Sequence, residues 1–174
     1  MSVNRRPLED PMDFKHNGLY HVGLTVSDLD RSLDWYRKVL GLEAEFVASG
    51  DGPELSKAVG VPDAVLRFAM VPMGNAYLEL LEYTSPRGKA FDGANNDIGA
   101  AHVCFDVPDI RTAYNDLSRR GAQFLTDPFP IIGGPLDGCF FAYFRDPDGL
   151  CLEVFQRAQA LAGKSYPGSA MPRH

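Results

Sequence analysis

Hydrophobic and polar positions run through this chain in a pattern that occurs twice. The first copy opens with HVGLTV from His21, where apolar residues alternate with small or polar ones at the two-residue period of a strand. Ser27 and Asp28 then offer a helix N-cap, with Asp30 in a capping-box-like position. Leu29, Leu33, Tyr36 and Leu40 follow at helical intervals, Arg37 and Lys38 stand in the last turn, and Gly41 supplies the stop. The second copy opens with HVCFDV from His102 and takes Asp109 as its cap. Ile110, Ala113, Tyr114 and Leu117 form its apolar stripe, Arg119 and Arg120 close it, and Gly121 ends it. Each His stands seven residues before its capping Asp.

Three strand-like segments follow each predicted helix. They are LEAEFVAS, VLRFAMVP and AYLELLEY in the first copy, and AQFLTDPF, CFFAYFRD and LCLEVFQ in the second. The order β-α-β-β-β therefore appears twice, with the copies offset by 81 residues at His21 and His102 and by 74 at Glu79 and Glu153. The extra length of the first copy is DGPELSKAVGVPD, read as a surface excursion with a short helix. Asp146-Pro147-Asp148-Gly149 reads as a tight turn between the last two strands. The pattern predicts an α+β chain of two tandem β-α-β-β-β modules at 17–84 and 101–157. A loop at 85–100 joins them, and tails lie at 1–16 and 158–174.

Strand phase assigns faces. His21, Gly23 and Thr25 share one side of their strand while Val22, Leu24 and Val26 share the other; the same split sets His102, Cys104 and Asp106 against Val103, Phe105 and Val107. The purely apolar side is expected to pack on the helix, leaving the His side to look into a cavity. Glu79 falls in phase with Tyr77 and Leu81, and Glu153 with Cys151 and Phe155. A carboxylate among apolar neighbours is costly unless something cationic meets it.

Composition narrows the possibilities. With 174 residues and 45% hydrophobic content, the chain can bury a proper core. A net charge of −6 argues against a nucleic-acid-binding surface and gives no help to a strongly anionic ligand. No apolar stretch is long enough to span a bilayer and no signal peptide opens the chain, so no membrane association and a cytoplasmic location are expected. Cys104, Cys139 and Cys151 lack CxxC spacing and are expected to be buried free thiols. Trp35 and half of the aromatic run Phe140, Phe141, Tyr143, Phe144 and Phe155 are expected to pack in the core.

The candidate chemistry lies in the matched pairs. The chain has four histidines, and the other two, His16 and His174, fall in or beside the tails. Two imidazoles from His21 and His102 and two carboxylates from Glu79 and Glu153, in equivalent places of a repeat, are what one divalent ion needs as ligands. Two nitrogens and two oxygens suit Zn, Ni, Co, Mn and Fe alike. Glu82 competes with Glu79, but it has the wrong strand phase and no counterpart in the second copy, where Gln156 stands. Arg87 and Lys89 are read as solvated loop residues.

The duplicated module, the DLDRSLDWYRKVLGL helix, the RDPDG turn followed by LEVFQ and the His/Glu placement together resemble the vicinal oxygen chelate superfamily over about residues 19 to 156. That superfamily includes glyoxalase I, methylmalonyl-CoA epimerase, extradiol dioxygenases and bleomycin-resistance proteins. The resemblance implies a curved mixed sheet around a central cavity, with His21, Glu79, His102 and Glu153 in the four metal-ligand positions. It also implies a homodimer, formed through sheet edges or by exchange of modules. The expected activity is that of a divalent-metal-dependent isomerase or epimerase moving a proton next to a carbonyl of a small hydroxy-ketone, acid or acyl thioester. One of the two glutamates, Glu153 before Glu79, is expected to be the base. A glyoxalase I-type lyase would use the same set, although Thr25 stands where that enzyme usually carries an Arg for a glutathione carboxylate. The remaining alternatives are an Fe(II) ring-cleaving dioxygenase and a metal-free small-molecule-binding protein of the resistance type.

Overall fold

The computed structural model describes residues 17–91 and 93–161. The N-terminal tail with His16, most of the C-terminal tail and His174 lie outside the described residues. Module one runs β1 (His21–Thr25), α1 (Leu29–Trp35), β2 (Phe46–Gly50), α2 (Pro53–Val59), β3 (Val65–Pro72) and β4 (Tyr77–Ser85). Module two runs β5 (His102–Asp106), α3 (Ile110–Arg119), β6 (Gln123–Phe124), β7 (Phe129–Pro130), β8 (Phe140–Arg145) and β9 (Cys151–Gln156). The sheets have the orders β1-β4-β3-β2 and β5-β9-β8-β6, with β7 also on β8. In each sheet the His-bearing strand runs parallel to the Glu-bearing last strand, and the other pairings are antiparallel.

The helices start where the capping residues predict. Asp28 accepts from Arg31 N at 2.9 Å and Asp109 from Thr112 N at 2.6 Å. Asp30 does not close a capping box; it pairs with Arg67 on β3 through contacts of 2.8 and 3.0 Å. Beyond Trp35 the first helix widens into a π-type segment, Tyr36–Leu40, which Gly41 ends at a φ of +72°. In module two the expected single strand 122–129 is instead two short pieces, β6 and β7. The Asp127-Pro128 break separates them, and Pro cannot donate to a ladder.

One core serves both modules. Val26, Leu29, Tyr36, Val39, Ala69, Val71, Leu78 and Leu80 from the first join Ile110, Ala122, Ala142, Phe144, Leu152 and Val154 from the second in one buried cluster. Trp35 of α1 stacks on Phe144 of β8 with ring centroids 6.5 Å apart. The DPDG segment is more than a hairpin turn, because it grips α1 across the module boundary. Ser27 N donates to Asp148 Oδ2 at 3.0 Å, Arg31 Nη2 pairs with Asp148 Oδ1 at 2.5 Å, and Tyr36 Oη donates to buried Asp146 Oδ2 at 3.3 Å.

Burial raises Asp146 above the ordinary carboxylate range, partly offset by N–H groups of Leu150 and Asp148. Asp148 ends below that range: burial would raise it, but the Ser27 N–H and the Arg31 guanidinium outweigh this. A carboxylate depressed on folding stabilises the fold above its unfolded pKa and loses that contribution as pH falls through the folded value. Between about pH 5 and about pH 2, wild type should therefore lose more of its urea-unfolding stability than Asp148→Asn. Parallel losses in the two proteins would show that the cross-module ion pair contributes nothing.

Candidate metal-binding site

Register places the predicted ligands in equivalent positions of the two sheets. Gly23 on β1 stands opposite Glu79 on β4, and Cys104 on β5 opposite Glu153 on β9, with each His two residues back along its strand. His21 Nε2 lies 3.4 Å from Glu79 Oε2, and His102 Nε2 lies 3.0 Å from Glu153 Oε2. Glycine at position 23 makes room for the first pair, since a Cβ there would stand 3.4 Å from Glu79 Oε2 and 3.3 Å from Leu81 Cδ1. Both imidazoles are accessible, at 40% and 44% side-chain exposure, whereas Glu153 is only 9% exposed and Glu79 18%.

These distances fit a shared ion. Two ligands each bound at about 2.0–2.2 Å stand about 3.0–3.4 Å apart when cis-octahedral or tetrahedral. Each module thus presents one imidazole and one carboxylate suited to neighbouring coordination positions. The four do not converge within one chain: among the described residues, no three His, Cys, Asp or Glu side chains form a metal-holding group. The apolar side of each sheet is turned to the common core, so each His/Glu pair lies on its sheet's far side, with the imidazoles exposed and Glu153 recessed.

Other candidates resolve differently. Glu82 is buried on the core side of β4, where Oε2 accepts from Leu29 N at 3.2 Å, and both Arg67 and Arg87 approach to 3.5 Å. It does have a counterpart in module two, because Gln156 Oε1 accepts from Ile110 N at 2.9 Å. Both residues cap the first turn of their module's helix from the last strand. Arg87 is not simply solvated; its Nη1 donates to Ser27 O at 3.0 Å. Cys139 and Cys151 are buried thiols as expected, but Cys104 is exposed beside Glu153, with its thiol pushed up to about 12 by desolvation and then by that carboxylate. Of the aromatic run, Phe144 is fully buried, while Phe141, Tyr143 and Phe155 share the phase of Glu153. Tyr143 meets His102 edge-on at 5.3 Å; the sequence named it only as one of an aromatic run, and its position opposite Glu153 in the β8–β9 pairing is the signal that would have placed it at the pair.

A duplicated β-α-β-β-β module with matched His/Glu pairs on parallel strands defines a glyoxalase-type fold. The family model for the Glyoxalase/Bleomycin resistance protein/Dioxygenase superfamily matches residues 18–154, and the chain belongs to that superfamily. It is 33% identical to a 2-epi-5-epi-valiolone epimerase from an Actinomyces species over 78% of this chain and 77% of that protein. It is 31% identical to the lactoylglutathione lyase of Pseudomonas aeruginosa over 78% and 80%, and 29% identical to mouse mitochondrial methylmalonyl-CoA epimerase over 82% and 75%. Among solved structures, a glyoxalase family protein from Bacillus cereus superposes with a TM-score of 0.70 at 21% identity, covering 86% of this chain and 99% of that one. No helix of the described residues is long and apolar enough to cross a membrane.

The paired caps can be separated from the ligand set by substitution. Glu82→Ala should cost about 1–2 kcal/mol in urea unfolding, whereas Glu82→Gln, the arrangement module two already uses, should cost well under half of that. Equal losses would mean that the ion pairs to Arg67 and Arg87 matter and the cap does not.

Proposed function

We propose that this protein is a divalent-metal-dependent epimerase or isomerase that moves a proton on the carbon next to a carbonyl of a small hydroxy-ketone, acid or acyl thioester. The observation that carries the reading is the equivalent pair of His/Glu contacts, at 3.4 and 3.0 Å, on the open faces of the two modules. The names of the relatives, two epimerases and a lyase, support it. His21 and Glu79 of one subunit would hold the ion together with the partner subunit's His102 and the partner subunit's Glu153. Such a homodimer accounts for two half-sites that one chain keeps on the outer sides of its sheets.

A bound divalent ion supplies Lewis-acid polarisation of substrate oxygens, which favours loss of the neighbouring proton. The chain's own residues do the rest. Glu153, the deeper carboxylate, sits between Cys151 and Phe155, where few waters compete for its oxygens, and would take the proton. Glu79, brought from the other module, would return a proton from the opposite side, which inverts the centre. The Tyr143 ring, edge-on to His102 at 5.3 Å, would fix where that imidazole points beside Glu153. Lyase chemistry of the lactoylglutathione type would use the same base, and the 31% identical relative favours it as the second reading.

Elemental analysis of the purified chain should find about one equivalent of a divalent metal per subunit, and a chelator should remove it together with activity. Glu153→Gln should abolish exchange of the proton next to a carbonyl in deuterated water while substrate still binds; near-normal exchange by that variant would sink the assignment. The shared site has its own test. His21→Ala and His102→Ala should each be metal-poor alone, yet unfolding and refolding them together should restore about a quarter of the wild-type metal content, because mixed dimers keep one intact site. No recovery on mixing would place all four ligands in one subunit.

A further inference from the structure

Across sheet two, a row of equivalent positions runs His102, Cys151, Arg145, with the strands in register. Across sheet one the corresponding row runs His21, Tyr77, Pro72. The duplication thus placed an arginine on one side of the candidate site and a proline on the other. Arg145 is half-buried, and a cavity of about 130 Å³ opens between it and His102, roofed by the inter-module loop. Phe91, Asn95, His102, Tyr143, Arg145 and Cys151 are among its lining residues. Arg145 Nη2 donates to Asn95 Oδ1 at 2.6 Å and Nη1 to Gly149 O at 3.0 Å. Both partners are neutral, and among the described residues no carboxylate lines the cavity or pairs with this guanidinium. A hairpin alone does not require the arginine, since β3 and β4 close with Met73 N donating to Ala76 O at 2.8 Å and Pro72 in its place.

We propose that this cavity is the subsite for a carboxylate of a small hydroxy- or oxo-acid, with Arg145 as the residue that selects it. The proposal rests on the proposed function and narrows its substrate class. A guanidinium with no counter-ion among the described residues favours a carboxylate over a neutral amide or alcohol, and its remaining N–H groups can engage the two oxygens together. The volume is well below the roughly 300–1,000 Å³ of sites that enclose a whole drug-sized ligand, so it takes a terminal group and leaves anything larger outside. Its shared wall with His102 sets the acid's next carbons toward the His102–Glu153 pair.

The test titrates the full-length protein, as purified, with glycolate and separately with its neutral amide, glycolamide, following the Asn95 side-chain amide and the Arg145 Nε–H by NMR. Glycolate should shift both saturably, and glycolamide should not. Arg145→Gln should weaken glycolate binding by about tenfold or more. Ala100→Leu, which fills the cavity without touching the bonds of Arg145, should weaken it similarly and decides the matter if Arg145→Gln does not fold. Equal responses to the acid and the amide, no saturable response, or unchanged glycolate binding in either folded variant would overturn the proposal. The readout needs neither turnover nor bound metal, so a chain that binds glycolate here but holds no metal would refute the proposed function and leave the carboxylate subsite standing.

Discussion

The one apolar core shared by the two modules governs the rest of the structure. Each two-residue His/Glu pair is attached to a sheet whose other side must be covered, and in this chain the two sheets and their helices cover one another. Trp35 of α1 and Tyr36 of the π-type segment meet Phe144 and Asp146 of module two, with Asp148 latched to Ser27 and Arg31. Burying those faces removes a large apolar area from water, which no small gain at an exposed metal site could offset. The ligand faces are then left pointing outward. On the proposed function, a complete site would require association between chains, so the catalytic reading and the dimer would stand or fall together.

What is the same in the two modules and what differs divide along functional lines. The helix caps Asp28 and Asp109, the strand-borne caps Glu82 and Gln156, and the His/Glu pairs are repeated. Two similar helices demand the repeated caps, and the proposed ion would make use of the repeated His/Glu pairs. The differences gather around module two: a DPDG turn that clamps the neighbouring module, a tyrosine against His102, a loop over the imidazole and an arginine where module one has a proline. An ion can be held by equivalent halves, but recognising one end of a substrate requires a site whose two ends are unlike.

Much of this was legible in the residues. Capping aspartates, helix-ending glycines, the period-two alternation and the bounds of β3 at Val65–Pro72 all follow from short-range rules, because the groups involved lie within a few positions of one another. So did the phase that puts His21 with Glu79 and His102 with Glu153 on the open faces, since a pleated strand has only two sides. The misreadings each turn on a partner distant in the chain. Asp30 bonds Arg67, 37 residues away, instead of closing its own helix, and Glu82 serves Leu29, 53 residues back. Cys104 looked like a core thiol because its type is usually buried, yet its phase puts it beside Glu153 on the open face.

By itself, then, the sequence determined the repeat, the local elements, the identity of four possible ligands and the strand face each occupies, because hydrogen-bond and side-chain periodicities are local properties of the backbone. The tertiary structure decided how the two repeats share a core, and hence that His21 pairs with Glu79 and His102 with Glu153 while the two pairs stay apart. It also decided that Arg145 faces a cavity with no carboxylate among its described lining residues. Those outcomes depend on which apolar faces bury each other, a choice made between segments some eighty residues apart, and no local pattern encodes it.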